Sequence, residues 1–335
     1  MRRMVLRAPG AVTSSPLALE DAEEEAVPAG EIRLEVLACG VCRTDLQIVS
    51  GDLAARVLPI VPGHQIVGRV VELGAGVTSS RVGDLVGVGW LASTCGSCTA
   101  CTSGRENLCA EARFTGWDRH GGYASRATAR ADFAFPLPAG FEAVDAAPLL
   151  CGGVIGYRSL KRAGVRRETA AGQRVGLYGF GASALLALQV ARHFGAEVYV
   201  ATRGAAERER AVAMGAAWAG GYEETPPRPL DCAVTFAPSG DVVVAALRAT
   251  DRGGTVAINA IHLDRIPSFS YDLLWWERNL VSVANYTRAD ARELLALAAE
   301  IPIRTRFERH PLADANEALA RLDRGEVDGS AVLVT

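Results

Sequence analysis

Apolar residues in the first half of the chain come in short runs. IRLEVLACG, IVGRVVELG and RVGDLVGVGW are rich in β-branched and aliphatic residues and are interrupted by Gly, Pro and Asp. This pattern predicts an irregular β-rich region of short strands from residue 1 to about residue 150. The texture changes near Pro148. Beyond it, RVGLYGFG reads as a strand running into a glycine turn, and ASALLALQVARHFG as a buried helix. EVYVATR is a second strand, and AAERERAVAMG a charged helix. DCAVTF, DVVVAALRAT, GGTVAINAI and NLVSVANY continue the series. Strand and helix alternate at the pitch of a parallel, doubly wound α/β sheet. A helix over RADARELLALAAE follows, and the tail from Ile303 reads strand, helix, strand. ETPPRP, residues 224–229, is a surface turn rather than a domain linker. There is no internal repeat and no low-complexity segment.

The chain has 335 residues, enough for two domains with cores of their own. It is 49% apolar and 22% charged, ordinary values for a globular protein. A net charge of −3, with Arg scattered rather than striped, gives no electrostatic case for nucleic acid or an anionic membrane. Lys161 is the single lysine, which points to a compositional bias of the genome. Met1-Arg2-Arg3 is basic, but no unbroken apolar run follows it. The longest apolar stretch, Val175 to Val190, is broken by Gly, Ser and Gln and is too short and mixed to span a bilayer. Eight cysteines in such a chain fit metal ligation in a reducing compartment better than a disulfide framework. A cytoplasmic protein is expected.

Four of those cysteines, Cys95, Cys98, Cys101 and Cys109, lie in CGSCTACTSGRENLC with spacing C-x2-C-x2-C-x7-C. Short C-x2-C steps turn neighbouring sulfurs toward one point, and Zn2+ takes four such ligands in a closed tetrahedron. A closed tetrahedron holds a loop together and has no open position for chemistry. Disulfides or an iron–sulfur cluster are the alternatives. Adjacent C-x2-C pairs are poor disulfide partners, and nothing else in the sequence suggests electron transfer.

Gly179-Phe180-Gly181-Ala182-Ser183-Ala184 follows a strand, opens a helix and matches G-x-G-x-x-A. Gly179 permits the tight turn, Gly181 lets backbone approach a pyrophosphate, and Ala184 allows close helix–strand contact. The helix N-terminus favours the negative charge. A glycine turn that binds nothing is the bland alternative, but the strand–turn–helix context and the second strand favour dinucleotide binding. At the end of that second strand, where NAD-specific proteins place Asp or Glu, stand Thr202 and Arg203. Thr202 can hydrogen-bond a 2′-phosphate and Arg203 can pair with it, so NADP(H) is expected over NAD(H).

Three more segments carry potential ligands: CGVCRTDL (Cys39–Leu46), PGHQIVGRVVELG (Pro62–Gly74) and LLCGGVIGY (Leu149–Tyr157). Each alone is bland. Together with the cysteine lobe and the Rossmann turn, and in this order, they resemble the zinc-dependent medium-chain alcohol dehydrogenase family from end to end. The resemblance implies a GroES-like catalytic domain over residues 1–152 and 288–335, with a Rossmann nucleotide-binding domain, 153–287, inserted into it. It implies that Cys42, His64 and Cys151 hold a catalytic zinc with a fourth position open, making two zincs per chain. Asp45 would accept a hydrogen bond from His64, Thr44 would pass the substrate proton on, and Arg43 would meet the cofactor pyrophosphate. Trp90 and Leu53 would line the substrate pocket, and Trp117 would help to shape it. Cys39 and Cys232 fit no ligand role and read as small buried residues. A homodimer or homotetramer is implied, with a small alcohol or carbonyl compound as substrate.

The family pattern is not matched everywhere. Gln65 stands where the family usually has Glu, Gln47 where it often has His, Ile155 where many members have Thr, and Ser330 where an Arg often helps hold pyrophosphate. The expected activity is hydride transfer between a nicotinamide cofactor and an alcohol, aldehyde or ketone. The competitors are a superfamily reductase acting on an activated C=C bond and a non-catalytic, cofactor-sensing protein on the same fold. An intact Cys42, His64, Cys151 and Thr44 argues against both.

Overall fold

The strand Glu31–Val41 organises the first half of the molecule. Ile32, Leu34, Val36 and Ala38 alternate along it, and each is buried in the core. In the computed structural model, which describes residues 1–260, 263, 265–301 and 303–335, this strand is the hub of a seven-stranded sheet. It pairs antiparallel with Gln65–Leu73, Arg126–Arg130 and Ser330–Val334. Beyond these lie Leu85–Val88 and Ala134–Pro136 on one side and Phe307–Pro311, parallel to its neighbour, on the other. A separate hairpin joins Arg2–Leu6 to Leu17–Asp21. The strands are short and the registers irregular, with shifts at Arg33/Leu34 and Val36/Ala38.

The register decides what meets at the sheet's end. Gly40 lies opposite Gln65, so the residues just beyond, Val41-Cys42 on one strand and Gly63-His64 on the other, leave the ladder side by side. A Cβ at Gly40 would come 2.6 Å from the Gln65 side-chain oxygen, so a larger residue there would make the Gln65 side chain move. This unit comprises Met1–Cys151, Asn285–Glu300 and Arg304–Thr335.

The second unit, Gly152–Ala284 with Ile301–Ile303, is built on a six-stranded, all-parallel sheet. Its strands run in the order Trp218–Gly220, Glu197–Ala201, Arg174–Tyr178, Leu230–Thr235, Thr250–Ile258 and Asn279–Ser282. Numbered within the unit this is 3-2-1-4-5-6, the order of a dinucleotide-binding sheet that reverses direction beside its first strand. The first two strands are buried along almost their whole length, as a sheet covered on both faces requires. The helix Ala182–His193 packs closely on the helix Gly152–Arg162. A Cβ at Gly156 would come 3.1 Å from the Ser183 carbonyl, tight enough to push the helices apart.

Candidate metal centres and dinucleotide turn

Cys42 follows directly on the hub strand and caps the helix Arg43–Ser50. Its backbone N–H donates to Asp45 Oδ2 at 2.9 Å, and its sulfur accepts from the Thr44 N–H at 3.3 Å. Asp45, fully buried, accepts from the Gly63 N–H at 3.2 Å and lies 2.9 Å from His64 Nδ1. One carboxylate therefore ties both strand ends together and fixes the imidazole with Nε2 toward Cys42 Sγ, 3.3 Å away. Cys151 arrives from a different direction, at the end of the wholly buried 3-10 turn Ala147–Leu150.

The donor atoms of Cys42, His64 and Cys151 all lie within 4.8 Å of one another. A tetrahedral zinc with ordinary bond lengths separates a sulfur from a nitrogen ligand by about 3.5 Å, so two thiolates and one imidazole at this spacing suit zinc. A hydrogen bond with Cys151 holds the Cys42 thiol well below its ordinary range, while the same bond raises Cys151. Burial alone would lower the His64 imidazole, but Asp45 and the Cys42 sulfur outweigh it and hold it high. The three groups thus share protons among themselves, and a cation in their midst would displace those protons. Three protein donors leave a fourth position open.

The other four sulfurs form a second group. Cys95 lies 3.9 Å from Cys101 and 3.6 Å from Cys109, and Cys98 lies 3.6 Å from Cys101. A disulfide needs about 2.05 Å. The edge of a zinc–thiolate tetrahedron is about 3.8 Å, so these separations fit a metal and no crosslink. Backbone N–H groups of Cys98 and Ser97 pull the Cys95 thiol down to about 6, which prepares it as a thiolate. Cys39 and Cys232 are buried outside both groups.

Trp90 stands edge-on to the His64 ring, with centroids 4.9 Å apart. Phe114 and Trp117 stack against it at 5.1 and 5.8 Å, and the Arg56 guanidinium covers Trp117 at 3.8 Å. Asp118 accepts from both Arg56 and the Phe114 N–H, which fixes this slab. The sequence pointed to Trp90 and Trp117 but not to Phe114, Arg56 or Asp118. These five residues come from three segments, and no spacing along the chain signals their contact. Leu53 is half-buried against the core, tied to the Gln47 carbonyl through its N–H at 2.9 Å.

In the second unit Gly179 adopts φ +95°, and a Cβ there would come 2.9 Å from the Ala237 nitrogen, so only glycine fits. Gly181 is exposed with nothing within 4 Å of a hypothetical Cβ, and it opens the helix Ala182–His193 without any side-chain cap. Open space before free helix N–H groups suits a pyrophosphate. Ala184 is buried, and Ser183 is half-buried in the first turn. Thr202 is buried just past the strand Glu197–Ala201, and Arg203 beside it is exposed. Arg43 is exposed at the first position of its helix in the other unit. Gln47 is half-buried on that helix, Ile155 is half-buried near the start of Gly152–Arg162, and Ser330 opens the last strand.

Residues 28–139 match the model of the alcohol dehydrogenase GroES-like domain, and residues 184–300 that of the zinc-binding dehydrogenase domain. A Mycobacterium tuberculosis protein named "Probable alcohol dehydrogenase AdhA" is 46% identical, over 98% of this chain and 96% of its own. An alcohol dehydrogenase of Geobacillus stearothermophilus is 33% identical, over 95% and 96%. The solved cobalt- and zinc-bound thermostable alcohol dehydrogenase of Pyrobaculum aerophilum superposes with a TM-score of 0.88 at 27% identity, covering 100% of this chain and 99% of that one. The chain belongs to the zinc-type medium-chain alcohol dehydrogenase family.

Proposed function

We propose that this enzyme interconverts small alcohols with their aldehydes or ketones, using a nicotinamide dinucleotide and two zincs of distinct purpose. The observation that carries this reading is the contrast between the two donor sets: four thiols for a closed site, and Cys42, His64 and Cys151 with a position to spare. Zinc at the three-donor site supplies Lewis acidity, polarising a carbonyl or easing loss of an alcohol proton. The nicotinamide supplies or accepts the hydride.

The chain's own residues have separate tasks. Asp45 keeps His64 in the tautomer that presents Nε2. The Thr44 hydroxyl, buried beside Cys42, exchanges a proton with the substrate oxygen. Gln47 cannot take that proton further, because a carboxamide does not titrate in this range, so the proton leaves through water. Trp90 gives the pocket an apolar wall against His64, and Leu53 adds to it. The N–H groups at Gly181, Ala182 and Ser183 hold the pyrophosphate. A C=C reductase has no need of the open three-donor set.

Arg203, and the lack of a carboxylate at position 202, favour NADP(H). A carboxylate at the position of Thr202 would repel a 2′-phosphate, and Arg203 offers a charge-assisted donor. A homodimer is favoured by the outermost strand Asn279–Ser282 and by the exposed aromatics Tyr271, Trp275 and Trp276 just before it. The reading is tested by steady-state kinetics on a panel of alcohols and aldehydes with both cofactors, beside zinc analysis of the same preparation. Turnover with NADPH exceeding that with NADH, two zincs per chain and an NADPH advantage that falls in Arg203→Ala are expected. No turnover of any alcohol or carbonyl compound by zinc-replete protein would overturn it.

A further inference from the structure

The end of the strand Glu197–Ala201 carries two groups that its sequence spacing does not show, Glu207 and the Tyr222 phenol, both hydrogen-bonded to the Thr202 side chain. The Thr202 hydroxyl donates to the carboxylate of Glu207. Glu207 lies in the first turn of the helix Ala205–Ala213, where a negative charge is favoured. Gly204 lets that carboxylate fold back over the turn: a Cβ there would come 3.1 Å from Glu207 Oε2. The Arg208 guanidinium is turned onto the backbone, donating to the Thr202 and Arg203 carbonyls at 3.0 and 2.9 Å. Arg203 itself is exposed, and its charge acts on the Tyr222 phenol at the same strand end. The hydroxyl thought free to meet a 2′-phosphate has its only proton committed to an anion.

We propose that Glu207 is a specificity-determining residue for the dinucleotide: it accepts the hydrogen bond of the Thr202 hydroxyl, sets a negative charge beside it, and so opposes a 2′-phosphate. A hydroxyl can donate one hydrogen bond only, so Thr202 as placed offers a phosphate no donor. A ribose 2′-hydroxyl, which is itself a donor, meets no such penalty from a carboxylate. Arg203 and Glu207 then act in opposite directions at one strand end, and the cofactor preference of the enzyme is their balance. The inference rests on the reading that this strand end receives the adenosine ribose.

The test is a binding measurement that needs no turnover. Calorimetric dissociation constants for 2′,5′-ADP and 5′-AMP are compared across wild type, Glu207→Gln, Glu207→Ala, Glu207→Asp and Arg203→Ala, with kcat/KM for NADPH and NADH taken on the same proteins. Removing one unit of like charge near the phosphate should tighten 2′,5′-ADP by about tenfold or more in both neutral variants. 5′-AMP should move by much less, and Glu207→Asp should stay near wild type. If Glu207→Gln and Glu207→Ala leave the ratio of the two constants unchanged, or weaken both ligands equally, Glu207 has only a structural role. The arms separate two failures. Loss of 2′,5′-ADP binding in Arg203→Ala with no effect at Glu207 defeats this proposal alone. No change of ratio in any variant removes the ribose from this strand end altogether.

Discussion

Asp45 shows how much one side chain can organise. Its two oxygens receive the Cys42 N–H, the Gly63 N–H and the His64 ring, so a helix cap and a ligand orientation depend on one buried carboxylate. Thr44 sits inside the same turn. Its backbone N–H is engaged by the Cys42 sulfur, so a substitution that keeps the backbone and shape removes the hydroxyl alone. Thr44→Val should lower kcat for alcohol oxidation by about a hundredfold or more, the usual contribution of a positioned proton-transfer group. Metal content and melting temperature should not change. A fully active Thr44→Val enzyme would take Thr44 out of the mechanism.

Two elements depend on their own local crosslinks. The lobe from Cys95 to Cys109 contains one four-residue helix and a 3-10 turn, too little secondary structure to hold its shape unaided. Cys101→Ser should lose one zinc and lower the melting temperature markedly, because metal binding there is linked to folding. Cys151→Ser should lose the other zinc and the activity, while the melting temperature falls far less. Elemental analysis and thermal unfolding of both variants check this, and equal destabilisation would contradict it.

In the parallel sheet, Arg174 and Asp231 join two neighbouring strands. Asp231 Oδ2 accepts from the Arg174 N–H at 2.7 Å and from Nε at 3.0 Å. Burial works against the charged carboxyl, but the Arg174 bonds outweigh it and hold its pKa below the usual carboxylate range. The stabilisation is therefore present above the unfolded value of about 3.9 and fades as pH falls through the lower folded value. The gap in melting temperature between wild type and Asp231→Asn should be widest near pH 7 and should close in acid. A gap independent of pH would assign the effect to packing.

At the scale of the whole molecule, the strand Asn279–Ser282 has a neighbour on one side only among the described residues. It is preceded by Tyr271, Trp275 and Trp276, which are 67%, 55% and 45% exposed. An open sheet edge beside large exposed aromatics is a surface that needs covering. A second copy pairing at this edge would cover it, and Trp275→Glu should then shift the protein toward monomer in light scattering. A monomeric wild type would sink the idea. The described residues contain no helix long and apolar enough to cross a membrane.

The sequence by itself determined the α/β class, the glycine turn and the cysteine groups, because these depend on short-range patterns. Gly179 must take a conformation that only glycine adopts readily, and C-x2-C steps bring sulfurs together within one turn of chain. The membership of Cys42, His64 and Cys151 in one site was legible only through the ordered set of motifs, since 109 residues separate the first from the last. Their meeting was decided by the pairing of Gly40 with Gln65 and by the buried turn that ends at Leu150. The aromatic slab and Glu207 belong wholly to the tertiary structure. Phe114 stacks on Trp90 across 24 residues of chain, and Glu207 reaches Thr202 from the first turn of the helix that follows the strand. Contacts of this kind depend on where elements dock, and no periodicity of the sequence encodes the docking.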